Sequence, residues 1–95
     1  MNYWVIYDIS ETKVRNYVVK LCKNYGLLRV QKSAFLGTLS KNKAEMLGSE
    51  IEDALNKETD VAFLIPACEG CMHNKIIVGF LDEERVREKD FYLVE

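Results

Sequence analysis

Apolar residues fill nearly every position from residue 3 to residue 8, and polar residues follow them. Both alternating sets of side chains in this segment are apolar, which predicts a strand that is covered on both faces and lies in the middle of a sheet. The segment ends in a single carboxylate, that of Asp8. The pattern therefore places one acid where a buried strand gives way to a polar connection.

A helical pattern follows this strand. Its apolar residues recur at the three- and four-residue spacings of one buried stripe, made of Val14, Tyr17, Val18, Leu21, Cys22 and Tyr25. We expect Ser10 or Thr12 to cap the helix and Gly26 to end it just after Tyr25. The same spacing recurs between residues 41 and 56 and predicts a second helix. Its buried residues would be Ala44, Leu47, Ile51, Ala54 and Leu55.

The segment LLRVQKSAFLG, residues 27–37, alternates with the period of a strand. One face would carry Leu28, Val30, Ala34 and Leu36, with Lys32 as the exception. The other face would carry Arg29, Gln31, Ser33 and Phe35. We interpret the segment as the second strand, with a polar face that points away from the helix-covered core. Phe35 is expected to serve in packing rather than in base stacking.

Two more strands are predicted near the C-terminus. DVAFLIPA is apolar on both faces and ends near Pro66, and KIIVGF is a fourth candidate strand. The elements indicate an α+β, ferredoxin-like β-α-β-β-α-β sandwich in which strands one and three are central. After a charged run, the apolar end FYLVE suggests a fifth strand that pairs with its own sheet or with that of a second protomer. Residues 1–95 would form one domain, with 82–95 as a C-terminal extension.

Composition narrows the class of protein. Ninety-five residues, 48% of them hydrophobic, suffice for one core and not for two. No apolar run approaches the ~18 residues that a membrane span needs, and the N-terminus has no export signal. We expect a cytoplasmic protein without a membrane partner. Three cysteines in such a chain suggest reduced thiols rather than a disulfide framework.

The charge is unevenly distributed. The formal net charge is -2, yet residues 1–43 carry eight basic and two acidic residues, a balance of +6, while residues 44–95 carry five basic and thirteen acidic ones, a balance of -8. A local basic field acts over roughly a Debye length whatever distant acids do, so the first half is a candidate polyanion surface. The alternative is that these lysines form ordinary solvated helix faces.

Asp8 has two interpretations from its position alone. An aspartate after a strand is often a turn or cap residue that accepts backbone N–H groups. It could instead bind Mg²⁺, but that ion needs octahedral oxygen coordination, and one carboxylate makes a poor site. A two-fold dimer axis passing near Asp8 would bring a second carboxylate.

The run VIYDIS, followed by Arg15, Gly26, VQKSAFLG and then DVAFLIPA with KIIVGF, resembles the Cas-two endonuclease family, the smaller of the two universal CRISPR adaptation proteins. The resemblance implies a ferredoxin-like homodimer whose C-terminal strand packs on the partner. It implies that Asp8 of each subunit faces its mate across a cleft and that the pair holds Mg²⁺. It further implies a metal-dependent nuclease acting on RNA or DNA, together with the CRISPR integrase as a partner.

These considerations give a set of candidate site residues. Asp8 would be the catalytic and metal-binding residue, and Ser10 is a weaker candidate beside it. Nucleic-acid contacts are expected from Lys13, Arg15, Lys20, Lys23, Arg29, Gln31 and Ser33. Of these, the lysines lie with Asn16 and Asn24 on one exposed helical arc and would contact the phosphate backbone without reading bases. Arg15, at the margin of the apolar stripe, could be structural instead, and the three strand residues could line a dimer interface.

The motif CEGC, with His73 close by, has half of the spacing signature of a zinc site. No second CxxC or HxxxH follows it, so zinc would require thiolates from two protomers. Cysteines in a turn, with Gly70 supplying the bend, are the default interpretation.

Three other functions remain open from the sequence. A noncatalytic dimeric scaffold that bridges integrase dimers would keep the basic surfaces without turnover that depends on Asp8. A toxin-type ribonuclease of similar fold would arrest growth when expressed alone. A small-molecule regulatory domain would not need the basic first half.

Overall fold

The structure is a computed structural model that describes residues 1–79. Its elements, in chain order, are β1 (Asn2–Asp8), α1 (Thr12–Asn24), β2 (Leu28–Gln31), β3 (Ala34–Thr38), α2 (Lys41–Ala54), β4 (Val61–Ala67) and α3 (Glu69–His73). The strands form one antiparallel sheet in the order β2-β3-β1-β4. With α1 and α2 as its two crossovers, this is the predicted ferredoxin-like α+β arrangement, and β1 and β3 are central.

The β-α-β-β-α-β pattern is confirmed, but its strands were assigned wrongly: the segment from residue 27 to residue 37 is a hairpin that supplies both β2 and β3, and not one strand. The chain turns at Lys32 and Ser33, so that Arg29 lies opposite Phe35 across the hairpin. The register shifts between Arg29 and Gln31. Folding back lets Phe35 and Leu36 both become buried, on opposite faces of the sheet, which one continuous strand at the edge would not achieve.

The two last predicted strands also differ from expectation. DVAFLIPA forms β4, which pairs only with β1 among the described residues and lies at the edge of the sheet rather than in its middle. The prediction for KIIVGF was wrong for residues 75–79, which form no strand. The rest of that segment, the extension 82–95 and the fifth strand in FYLVE lie outside the described residues.

The ends of α1 show one wrong and one confirmed prediction. Neither Ser10 nor Thr12 caps it; the N-cap is Glu11, which makes no side-chain capping hydrogen bond. At the other end Gly26 adopts φ +82°, a left-handed conformation that favours glycine. The N–H groups of Gly26 and Leu27 donate to the carbonyls of Lys23 and Cys22, at 2.9 and 3.1 Å, as in a Schellman motif.

The main core lies between the sheet and the helices α1 and α2. It contains the buried residues Tyr3, Val5, Tyr7, Val18, Leu21, Cys22, Phe35, Ala44, Leu47 and Ile51, among others. Most of the predicted helix stripes are therefore confirmed, and Ala54 and Leu55 are half-buried. Tyr17 was wrongly assigned, because its side chain is 49% exposed. No helix within residues 1–79 is long and apolar enough to cross a membrane.

Within residues 1–79, the other face of the sheet is only partly covered. Met72 of α3 packs there with Val30 and Leu36. Beside them lies a group of exposed apolar side chains, which we call the open face: Ile6, Val61, Phe63 and Ile65. Because Ile6 of β1 pairs with Phe63 of β4, these side chains are neighbours on the same side of the sheet.

Candidate functional site

Asp8 is the last residue of β1 and lies opposite Val61 of β4. Its side chain is exposed, and it makes no hydrogen bond or ion pair within residues 1–79. The structure therefore does not support the turn or cap interpretation, which needs the carboxylate to accept backbone N–H groups. By the alternation of β1, Asp8 shares the side of Ile6 and borders the open face.

A cleft of about 660 Å³ opens at this end of β1. Its lining residues are Tyr7, Asp8, Ile9, Arg15, Asn16, Val19, Arg29, Lys32 and Ser33. The cleft thus brings together four residues of the predicted site, Asp8, Arg15, Arg29 and Ser33. It adds Lys32, which the sequence analysis counted among the basic residues of the first half but did not include in the predicted site. The lining of the cleft therefore includes one acidic and three basic residues, which is a suitable setting for an anionic ligand.

The turn between β2 and β3 is tied to the end of β1. The hydroxyl of Tyr7 donates to the carbonyl oxygen of Lys32 at 2.9 Å, and Nη2 of Arg29 donates to the same oxygen at 2.8 Å. The backbone N–H of Tyr7 donates to the carbonyl of Ser33 at 3.0 Å. Burial raises the pKa of Tyr7, an effect that the positive charge of Arg29 partly offsets. These bonds hold the turn residues beside Asp8.

Arg29 was wrongly expected to point away from the helix-covered face. It lies opposite Phe35, which is fully buried under the helices, and its charge acts on Tyr7 in the same layer. The expectation that Phe35 serves in packing is confirmed, since its ring is 0% exposed and stacks on Tyr7 with centroids 6.4 Å apart. Nε of Arg29 is buried without an acceptor among the described residues.

Arg15 organises the connection that follows Asp8. Its Nη1 donates to the carbonyls of Ile9 and Ser10 at 2.8 and 2.9 Å, and its Nη2 donates to Oγ1 of Thr12 at 2.7 Å. These contacts are the ones expected if Arg15 has a structural role, which is the alternative that the sequence left open. The guanidinium fixes the backbone between β1 and α1, because it binds two successive carbonyl groups there.

Ser10 is directed to a different partner. Both its N–H and its hydroxyl donate to Oδ1 of Asp60, at 3.1 and 2.9 Å. Asp60 also accepts hydrogen bonds from the N–H of Asn56 and the hydroxyl of Thr59. The N–H of Ser10, together with these other donors, lowers the pKa of Asp60. Sequence reasoning missed Asp60, although an acid directly before a strand, in the polar run NKETD, is a signal for a turn of this kind.

The predicted lysine arc is exposed on α1. Lys13, Lys20 and Lys23 are all exposed, as is Asn16, which also lines the cleft. Their spacing places them on one helix face, so the arc begins at the cleft and runs along α1. Gln31 is exposed at the end of β2 and does not line this cleft.

The cysteines of CEGC lie on a helix and not in the predicted turn. Cys68 is the N-cap of α3, and Cys71 is inside it. Their sulfur atoms lie 3.4 Å apart. Within the part of the chain that the structure describes, no group of three or more His, Cys, Asp or Glu side chains could hold a metal ion. Residues 1–79 of a single chain therefore supply at most part of a zinc or magnesium site.

Comparison with known proteins places these features in a family. A model of the CRISPR associated protein Cas2 family matches residues 1–75. A relative named CRISPR-associated endoribonuclease Cas2 1, from Archaeoglobus fulgidus, is 37% identical over 94% of this chain and 95% of its own. One of the same name from Methanospirillum hungatei is 35% identical over 78% of each chain.

A solved structure agrees with this assignment at the level of the fold. The crystal structure of Streptococcus pyogenes Cas2 superimposes with a TM-score of 0.73 at 23% identity, covering 83% of this chain and 100% of that one. The fold, the length of the match and the identity to two relatives lead to the same conclusion. The chain belongs to the CRISPR-associated Cas2 family.

Proposed function

We propose that this protein is a homodimeric, Mg²⁺-dependent endonuclease that hydrolyses phosphodiester bonds of RNA or DNA in CRISPR adaptation, where it acts with the CRISPR integrase. The observation that carries the proposal is Asp8: an exposed carboxylate with no partner among the described residues, at the end of a central strand. On one side it borders the apolar open face, and on the other a cleft with three cationic residues. The names of the two relatives support a nuclease, and for them the named activity is on RNA.

The donor set of one chain fits Mg²⁺ only in part. The ion takes oxygen ligands and commonly binds one or two carboxylates together with water and substrate phosphates. Asp8 supplies one carboxylate, and Asp8 of a second subunit would supply the other. The bound ion would activate water and neutralise charge on the phosphate. The open face supports the dimer, because monomeric proteins seldom leave a contiguous apolar patch exposed on an edge strand.

The cationic residues have distinct roles in this proposal. Lys32 and Arg29 would bind the phosphate next to the bond that is cut, and the hydroxyl of Ser33 would add a hydrogen bond. Arg15 would act as a positioning residue, since its guanidinium holds the two carbonyls that follow Asp8. The lysine arc would bind the neighbouring phosphates along α1, without reading bases. Gln31, at the end of β2, would bind at the periphery.

Asp8→Asn tests the catalytic role. The purified variant and the wild type are incubated with single-stranded RNA and with double-stranded DNA, in Mg²⁺ and in EDTA. We expect the wild type to cut in Mg²⁺ only, and Asp8→Asn to lose at least about 100-fold in rate while its circular dichroism spectrum stays unchanged. Asp53→Asn, an exposed acid on α2, is the matched control and should cut at the wild-type rate. Undiminished cutting by Asp8→Asn would eliminate the catalytic proposal.

One observation favours a second candidate, the noncatalytic scaffold that bridges integrase dimers. In residues 1–79 the cleft has one carboxylate and three cations, so its charge suits holding a phosphate backbone better than breaking it. A scaffold would bind duplex DNA and co-purify with the integrase, and it would show no cutting that needs both Mg²⁺ and Asp8. The same incubation, read as a gel shift beside the cleavage products, distinguishes the two functions.

A further inference from the structure

The cysteine pair at the end of β4 is not used by the proposed nuclease. Cys68 and Cys71 are exposed free thiols whose sulfur atoms lie 3.4 Å apart. Asp8 pairs with Val61 at the start of β4, whereas Cys68 follows the end of that strand. Seven residues of extended chain separate the two positions, which is about 20 Å. Any chemistry of the thiols is therefore distinct from that of the cleft.

The two thiols are not equivalent. Sγ of Cys68 accepts a hydrogen bond from the backbone N–H of Cys71 at 3.4 Å. This bond, together with the neighbouring thiol, lowers the pKa of Cys68. The hydrogen bond between the two side chains raises the pKa of Cys71, and the negative charge on Cys68 raises it further. At neutral pH Cys68 therefore holds more of the reactive thiolate, and Cys71 keeps its proton.

The third cysteine provides an internal comparison. Cys22 is 0% exposed in the main core, and burial raises the pKa of its thiol to about 12. A buried thiol of that kind is inert towards oxidants, whereas two exposed thiols in contact are suited to form a bond with each other.

We propose that Cys68 and Cys71 form a reversible intramolecular disulfide when the protein meets hydrogen peroxide. The thiolate of Cys68 attacks one peroxide oxygen and the O–O bond breaks, so that Cys68 becomes a sulfenic acid and the departing hydroxide takes a proton from solvent to leave as water. The thiol of Cys71 then attacks the sulfenic sulfur, the S–S bond forms, and a second water leaves. Two thiols are oxidised and one peroxide is reduced to two waters. A dithiol reductant reverses the change by thiol–disulfide exchange.

The pair lies where oxidation can affect the fold. Met72 follows Cys71, is 1% exposed, and packs on the side of the sheet that also carries the open face. The disulfide would close the first turn of α3 and so hold Met72 against Val30 and Leu36. Oxidation is therefore expected to slow amide hydrogen exchange in α3 and to leave exchange in α1 unchanged.

The test uses the full chain, reduced, freed of metal with EDTA and then treated with hydrogen peroxide. Intact mass should fall by about 2 Da, the mass of two hydrogens, and an alkylating reagent should then label neither exposed cysteine. Dithiothreitol should restore both labels. Cys22→Ser, the control, should behave as the wild type. In Cys71→Ser, dimedone should trap a sulfenic acid on Cys68, because the backbone N–H of residue 71 still donates to Sγ of Cys68.

Three results would overturn the proposal. The first is that both exposed thiols remain separately alkylated after peroxide. The second is that the disulfide joins two chains, seen as a dimer on a non-reducing gel. The third is that dimedone traps no sulfenic acid on Cys68 in Cys71→Ser, which would remove the role of Cys68 as the attacking thiolate.

Discussion

The hydroxyl of Ser10 donates to Oδ1 of Asp60 at a distance of 2.9 Å, although 50 residues separate them in the chain. The N–H of Ser10 donates to the same oxygen. The connection that follows Asp8 is thus fastened to the residue that precedes β4, the strand that carries the open face. On the other side of Asp8, the bonds of Tyr7 and Arg29 to the carbonyl of Lys32 fasten the β2–β3 turn. Asp8 itself remains exposed between two anchored connections.

Acid should weaken the first of these anchors. The pKa of Asp60 lies below its usual 3.8 in the folded protein, so the ionised form stabilises the fold above that value. This contribution is lost as the pH falls through the lower, folded pKa. In Asp60→Asn one acceptor oxygen becomes an amide donor, so we expect a lower melting temperature at neutral pH and a flatter profile between about pH 2 and 5. Circular dichroism melts at a series of pH values measure both.

Glu58→Gln is the control for this experiment. Glu58 lies in the same connection, and its carboxylate makes no hydrogen bond or ion pair to the described part of the chain. The melting temperature of Glu58→Gln should stay within about a degree or two of that of the wild type at neutral pH. An Asp60→Asn profile parallel to that of the wild type at every pH would contradict the assigned role of Asp60.

Two glycines should respond to alanine in opposite directions. A Cβ on Gly37 of β3 would lie 2.8 Å from Cδ2 and 3.2 Å from Cα of Leu27, so backbone would have to move. Gly37→Ala should lower the free energy of unfolding by about 1–3 kcal/mol. A Cβ on Gly48 of α2 would meet only Cδ2 of Leu64, at 3.7 Å. Gly48→Ala should raise the free energy of unfolding by about 0.5–1 kcal/mol, since alanine favours the helical conformation more than glycine does. Urea titrations would measure both changes, and a shift of the same sign in both variants would contradict the prediction.

The local parts of the fold could be predicted from the sequence, and the parts set by distant contacts could not. The helix stripes through Val18 and Leu47 and the central position of β1 follow from spacing within a short segment. The hairpin was missed because apolar and polar residues keep nearly the same alternation across Lys32 and Ser33. Only the pairing of Arg29 with Phe35, fixed by burial of the ring, reveals the turn.

The same limit applies to the site. The position of Asp8 at a strand end could be predicted, because a strand pattern that stops at an acid is local. Lys32 and Asp60 were missed because their partners are 25 and 50 residues away, in Tyr7 and Ser10. The strand β4 was wrongly expected in the middle of the sheet because both of its faces are apolar. One of these faces is not covered within residues 1–79. A face that would be covered by another chain has the same sequence pattern as a face buried within the chain.

Nucleic-acid binding should depend on the lysine arc and on salt. Each lysine that contacts a phosphate steepens the slope of log K against log salt by about 0.7–0.9. Replacing Lys13, Lys20 and Lys23 with glutamine should therefore make the slope shallower by about 2–3 for each protein chain that binds the nucleic acid through these lysines. The control replaces the equally exposed Lys41, Lys43 and Lys57 and should leave the slope within about 0.5 of the wild type. Fluorescence anisotropy at several salt concentrations measures the slopes, and equal losses in the two triple variants would argue against a defined path along α1.

The open face should control both assembly and cutting. Phe63 is 52% exposed in the middle of this face, opposite Ile6, and Asp8 lies two residues beyond Ile6 on β1. A charge at Phe63 would have to be buried in a dimer, so Phe63→Glu should weaken dimerisation at least about tenfold. Analytical ultracentrifugation should then find the 11.0 kDa chain instead of its dimer. Cutting in Mg²⁺ should fall with it, because each monomer keeps only one Asp8.

Met46→Glu, on α2 and 51% exposed, should change neither property. Full cutting by monomeric Phe63→Glu would show that one Asp8 suffices.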